Sequence, residues 1–389
     1  MAGHQQQPGG GEAKAPFEIP SLDGLRAVSF LIVFSAHAGL DRVVPGGFGV
    51  TIFFFLSGFL ITTLMRVEAE LTGGVNLKHF YLRRVLRIFP PFYLVLVSAT
   101  GLAAIGFIRG PVDLRPMAVF SQFVHFSNYW IAKHGWGGIA PGTGVYWSVA
   151  VEEHFYLVFP AVFMTLSRLQ FTGEQKAWRF AAVCAAVLAW RCVLVLLLHA
   201  PLDRTYLCTD TRFDSLAFGC ALAVWHNPAL DPLSGGSRGR LLWTRILLPA
   251  GLVLLLTTFL VRGPVFRETL RYTLQGIGLV PVFVSAVRWP EWLPFRLLNW
   301  RPVRFVGTLS YSLYLLHQIV LGAIAQHLLL GGLSRAVMAL GISLALAALI
   351  YRFVEKPCAR LRRRIRDYAR ATSRADGSLG SQSQSRIPA

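Results

Sequence analysis

Charge, and acidic charge above all, is what this sequence has least of. Only 15% of its 389 residues are Asp, Glu, Lys or Arg, against about 25% in a soluble globular domain. That excludes a chain wrapped on all sides by water. Acidic residues number 19 against 38 Lys plus Arg, a formal net charge of +19. The basic residues lie in short segments between apolar runs, which is the positive-inside pattern, so no nucleic-acid partner is called for. The five cysteines, Cys184, Cys192, Cys208, Cys220 and Cys358, form an odd set without a CxxC. Neither a disulfide framework nor a zinc site is indicated, and no metal is expected. HExxH is absent and Ser57 has no G-x-S-x-G context, which leaves metalloprotease and serine-hydrolase readings without a basis. Residues 1–20 are Gly/Gln/Pro-rich and lack the apolar core of a signal peptide, so they read as a disordered tail.

What the chain has instead is apolar length. Hydrophobic residues make up 54% and the mean hydropathy is +0.51. Runs of membrane-crossing length recur throughout, so the fold class is all-α, a polytopic membrane helix bundle of about ten transmembrane helices. They fall near 22–40, 48–66, 89–108, 145–166, 180–200, 212–226, 246–262, 272–288, 305–326 and 336–353. The sixth is short and holds Arg212 and Asp214, so it is expected to be broken or buried in the bundle. The loops after spans two, four, six and eight, and the tail after span ten, carry most of the Lys and Arg. Both termini are therefore expected in the cytoplasm. Segment 116–136 is aromatic and amphipathic, an interfacial or re-entrant helix on the outer side. One membrane domain, 21–358, fills the chain, and residues 359–389 form a basic, then Ser-rich, cytoplasmic tail.

Ionisable residues inside the spans are the exceptions that ask for a function. In SLDGLRAVSFLIVFSAHA, Arg26 and His37 are eleven residues apart; at about 100° and 1.5 Å per residue they share a helix face, separated by about 16 Å. At the cytoplasmic mouth of span three stand Arg83 and Arg87, on one face at helical spacing with Arg84 close by, and their guanidinium forks match phosphate oxygens; a topology-setting basic patch is the plainer alternative. Glu152 and Glu153 precede His154 in GVYWSVAVEEHFYLVFP, with Trp147 and Tyr156 nearby, and Glu152 is expected beside Arg26 or His37. Tyr311, Tyr314 and His317 line one stretch of span nine with Ser310, either as part of a site or as glue between helices. Together these residues outline a cavity with a candidate base at His37 and phosphate-binding arginines at its cytoplasmic mouth.

The order of the motifs resembles acyltransferase family 3, bacterial integral-membrane O-acyltransferases, which implies a multi-pass protein of the bacterial cytoplasmic (inner) membrane. The matching stretches are DGLRAVSFLIVFSAH, FFFLSGF, RRVLRIFPPFY, WSVAVEEHFY, TRFDSLAFG, SYSLYLLH and FVEKP, between about residues 20 and 360. The resemblance implies transfer of an acyl group, often acetyl, from acyl-CoA to a hydroxyl of a carbohydrate such as an exopolysaccharide or O-antigen, or of a small glycoside such as a macrolide. His37 then looks like the base, Arg26 its motif partner, and Arg83, Arg84 and Arg87 the contacts to CoA phosphates. Trp147 and Glu152 match the family's WSLxxE, with Val149 in place of its Leu. Ser57, Tyr156, Arg212, Asp214, Tyr311, Tyr314 and His317 are supporting candidates. Some relatives carry an extra extracytoplasmic domain, for which this chain is expected to be too short. An acyl-His relay remains an open variant, and a transporter or flippase using the same polar residues is the competing class.

Overall fold

The computed structural model describes residues 19–110, 112–233 and 235–364, and those residues are helical or in turns. The elements in order are α1 (Pro20–Ser35), α2 (Gly46–Thr72), α3 (Leu77–Ala104), α4 (Pro116–Phe123), α5 (Ser127–His134) and α6 (Tyr146–Arg168). There follow α7 (Gly173–Cys192), α8 (Leu202–Leu207), α9 (Thr209–Val224), α10 (Gly236–Leu241), α11 (Leu248–Leu260) and α12 (Pro264–Glu268). The last four are α13 (Leu270–Arg288), α14 (Phe295–Leu298), α15 (Arg301–His327) and α16 (Gly332–Ile350). Wide π-type turns continue α1, α7, α16 and the α10–α11 rod. The expected tails, 1–18 and 365–389, lie outside the described residues.

Among the described residues nine helices are long and apolar enough to cross a membrane. The tenth expected span is α9, only 16 residues long. It is short because it faces protein, with α2, α7 and α13 around it. Arg212 and Asp214 are fully buried there. Close approach to α2 depends on glycine: a Cβ on Gly219 would sit 2.1 Å from the Phe55 carbonyl oxygen, and one on Gly58 2.0 Å from that of Leu216. Small residues at such crossings are how membrane helices gain van der Waals contact without a hydrophobic drive.

Two segments differ from expectation. Helix α3 begins at Leu77, not near residue 89, because the Asn76 side chain accepts from the His79 amide at 3.0 Å and caps it. The arginines therefore sit inside the helix, one to three turns from its start. Segment 116–136 is two short helices, broken where His125 takes a positive φ of 54°.

Side-chain pairs fix which helix ends lie together. His37 meets His317, the Gln326 amide reaches the Arg109 carbonyl, and Thr51 meets Arg212. At the opposite end Arg66 meets Asp231, Arg288 reaches the Asp231 carbonyl, and Glu355 takes Ser312. Pro20 and the end of the α16 rod consequently share one end of the bundle.

Candidate functional site

Helices α1, α2, α3, α6 and α15 enclose a cavity of about 100 Å³, well above the ~10–15 Å³ that one water needs. Its polar lining is Arg26, Ser57, Arg84, Arg87, Glu152, Glu153 and Tyr156, with Ser148, Ser310, Tyr311 and Tyr314. Residues remote in sequence meet because each sits on the inward face of its own helix, as with Arg84, Arg87 and Ile88 at helical spacing on α3.

The carboxylates and arginines pair differently from the expectation. Arg26 donates to Asp23 at 2.9 Å, one turn earlier on α1. Asp23 is held there because α15 crosses tightly: a Cβ on Gly307 would lie 1.9 Å from the Asp23 carbonyl oxygen. Glu152 accepts from the Ser57 hydroxyl at 2.9 Å and from the Tyr156 hydroxyl at 3.1 Å. Arg83 leaves the cavity and pairs with Glu68 at 2.6 Å. Arg84 lies over the Tyr156 ring, 4.9 Å from its centroid. Neither Arg84 nor Arg87 has an ion-pair partner among the described residues, and like charges three residues apart on a helix repel by about 0.2–0.5 kcal/mol. An anion at that mouth would relieve the repulsion.

His37 lies at the far end of α1, in the π-type turn Ala36–Leu40 that Gly39 closes with a φ of 106°. It is exposed, and its Nδ1 is 2.9 Å from Nε2 of the fully buried His317. The other His317 nitrogen, Nδ1, is 2.8 Å from the Tyr314 carbonyl oxygen. A carbonyl only accepts, so His317 Nδ1 carries the proton and Nε2 presents a lone pair. His37 Nδ1–H must then donate to it, which leaves His37 Nε2 as a lone pair facing outward. A histidine, and not Glu152, fixes this tautomer. Tyr314 joins the two regions: its carbonyl holds His317, while its hydroxyl meets Ser148 at 2.7 Å in the cavity wall.

Arg212 and Asp214 belong to separate buried networks. Arg212 donates to the Tyr206 carbonyl at 3.2 Å and to the Thr51 hydroxyl at 3.1 Å, with Tyr272 4.1 Å and Trp147 5.7 Å from its guanidinium. Asp214 pairs at 2.7 Å with Arg191, also fully buried, which further donates to Thr273 and to the Thr211 and Thr269 carbonyls. Sequence reasoning missed Asp23, Ser148, Arg191 and Tyr206. Asp23 and Arg191 each left a signal, as a charge inside an expected span. Among the described residues, no three His, Cys, Asp or Glu side chains lie close enough to hold a metal ion.

Comparison with known proteins agrees with the motif order. The chain is 29% identical over 350 residues to the peptidoglycan O-acetyltransferase OatA of Listeria monocytogenes, covering 87% of this chain and 55% of that one. It is 27% identical over 352 residues to the O-acetyltransferase OatA of Staphylococcus aureus, covering 88% and 57%. The chain thus spans a little over half the length of these relatives. No solved structure matches it. With nine apolar helices of crossing length among the described residues and this bacterial family match, it is a multi-pass protein of the bacterial inner membrane. Residues 19–352 match the acyltransferase domain family, to which this chain belongs.

Proposed function

We propose that the protein transfers an acetyl group from acetyl-CoA to a hydroxyl of a carbohydrate beyond the membrane. The observation that carries this reading is the pairing of an outward-facing His37 Nε2 lone pair with an arginine-lined cavity one helix length away. The arrangement is expected to span the bilayer in ten crossings, α9 being the short one, with both termini cytoplasmic, as the basic ends suggest. Arg84 and Arg87, with Arg26, then face the cytoplasm and take the CoA phosphates; Arg83, engaged by Glu68, contributes less. The pantetheine arm runs along the cavity past Ser57, Glu152 and Ser310 toward Tyr314, a path on the order of the ~16 Å between Arg26 and His37.

In the chemical step His37 Nε2 takes the proton of the acceptor hydroxyl as its oxygen attacks the thioester carbonyl. Collapse breaks the carbon–sulfur bond, and the departing thiolate of CoA receives that proton from His37. His317 accepts from Nδ1–H throughout and stabilises the transient imidazolium. Glu152, held by Ser57 and Tyr156, keeps the cavity polar without pairing with a phosphate-binding arginine. The acceptor side is open: Trp136, 43% exposed, packs over Gly144, whose other neighbour is Gln318, the residue after His317. An exposed indole at the same end of the bundle as His37 suits the apolar face of a sugar. Peptidoglycan-like glycans are the acceptors that the relatives' names suggest.

The test is consumption of labelled acetyl-CoA by membranes carrying wild type or His37→Ala, with glycan fractions as acceptors. Label should enter glycan only with wild type. Equal transfer by His37→Ala refutes the mechanism; no consumption by either across several acyl donors favours a transporter.

A further inference from the structure

A second cavity, about 580 Å³, lies apart from the acyl-donor site, between α7, α9, α13 and the α10–α11 rod. Its size falls in the ~300–1,000 Å³ range of ligand pockets. The residues lining it come from the start of α7 (Ala177, Ala181), the end of α9 (Phe218, Leu222), the end of α13 (Val280, Val284) and the turn after α10 (Leu242, Trp243). These four stretches lie at the same end of the bundle, the end of Arg66 and Asp231. The cavity is consequently at one membrane depth. From Arg288 to Val280, eight residues along α13, it runs about 12 Å, close to half of a ~30 Å hydrocarbon core.

Three features identify the occupant. The wall is apolar almost throughout, and it is not sealed: Trp178 at its mouth is 70% exposed and Leu242 45%. Both side chains face the space where lipid lies. Trp178, Trp225 and Trp243 ring the same level, as tryptophans do at a membrane interface. Polar groups gather only at the bundle end. Arg288 lies there, donating from Nη2 to the Asp231 carbonyl while its buried Nε has no partner. His226 also lines the cavity, as does Gly239, whereas its sequence neighbours Arg238 and Arg240 do not. Glu174 is the one carboxylate lining the cavity; Asp231 is taken by Arg66 at 2.9 Å.

We infer that this cavity is a binding site for an anionic phospholipid of the surrounding leaflet, with an acyl chain inside and the phosphate at Arg288. The chain fills space that no protein element fills and props the α10–α11 rod, which packs chiefly on α13, against α7 and α9. The site belongs to the leaflet on the Arg66 side, so it is independent of the acceptor chemistry at His37.

Native mass spectrometry of the full chain in mild detergent, titrated with phosphatidylglycerol or phosphatidylethanolamine of matched chains, tests this. Wild type should hold one phosphatidylglycerol, preferred by about fivefold per engaged arginine. Ala181→Trp and Leu242→Trp each fill the cavity and should lose the bound lipid, with melting and size-exclusion profiles reporting that they fold. Arg288→Gln should still bind lipid with the preference abolished. Retention of the same lipid by both folded Trp variants overturns the site. Equal affinity of wild type for the two lipids overturns the headgroup assignment, and selective retention of a polyisoprenoid phosphate overturns the occupant.

Discussion

Replacing His317 separates the proposed base, His37, from the residue that sets its tautomer. In His317→Leu the side chain fills a fully buried position with apolar atoms of similar size, but no lone pair remains 2.9 Å from His37 Nδ1. Hydrogen bonds to charged groups are worth about 1.5–3 kcal/mol net, and His37 is charged at the top of the barrier. Since 1.36 kcal/mol is tenfold in rate, kcat should fall about 10- to 150-fold. His37→Ala removes the base itself and should cost about 10²–10⁴-fold. KM for acetyl-CoA should stay the same in His317→Leu, because the arginines proposed to bind the CoA phosphates lie on α3 and near the start of α1. His317→Gln restores an acceptor oxygen in the same region and should recover much of the loss. The assay is steady-state acetyl transfer in membranes at matched protein level. Wild-type kcat in folded His317→Leu would refute the tautomer argument, and so would His317→Gln as slow as His317→Leu.

Arg84→Gln with Arg87→Gln should raise KM for acetyl-CoA yet leave KM for acetyl-pantetheine, which lacks the phosphates, unchanged; kinetics on the two donors decide it. Asp214→Asn strands Arg191 in a fully buried site, and breaking a buried pair costs about 3–5 kcal/mol, so thermal unfolding in detergent should show a large loss, or no folded protein. Asp231 lies in the loop between α9 and α10; burial alone would raise its pKa, but hydrogen bonds from Arg66 and the Asn227 amide outweigh it and hold the carboxyl below its ordinary value. A depressed carboxylate stabilises the fold above its unfolded pKa of about 3.9 and loses that contribution as pH falls through the lower folded value. Asp231→Asn should therefore lower the melting temperature at pH 7, with the gap to wild type closing below about pH 4.

The bundle was legible because bilayer thickness dictates helix length, and apolar runs carry that length openly. Helix α9 broke the rule for the reason that makes the rule work: a helix sheathed in protein meets no lipid and needs neither twenty residues nor uniform apolarity. Its Arg212 and Asp214 were visible as anomalies, but nothing in the sequence paired them with Thr51 on α2 and Arg191 on α7. Spacing within one helix predicts which residues share a face, and it paired Arg83 with Arg87, Arg84 close by, whereas the cavity takes Arg84 and Arg87. It erred for Arg83, because Glu68 on the neighbouring helix competes for that guanidinium.

The histidine pair shows where such reasoning ends. Arg26 and His37 look like partners on a regular helix, and Glu152 was the residue expected beside one of them, whereas His317 is the one that meets His37. A wide turn begins at Ala36, so the regular 100° step stops one residue before His37. The ring then meets α15 at a position 280 residues away, and the register of α15 is itself set where Gly307 lets it pass over Asp23. One tight crossing near one end of the bundle thus positions the carboxylate that holds Arg26. From there the rigid α15 carries the same register over ten residues, about 15 Å, to His317. A larger residue at Gly307 should displace both ends together. In Gly307→Val, KM for acetyl-CoA and kcat should worsen in the same variant, whereas His317→Leu affects kcat alone. A Gly307→Val enzyme with wild-type kinetics would mean that the two halves of the site are not held by that crossing.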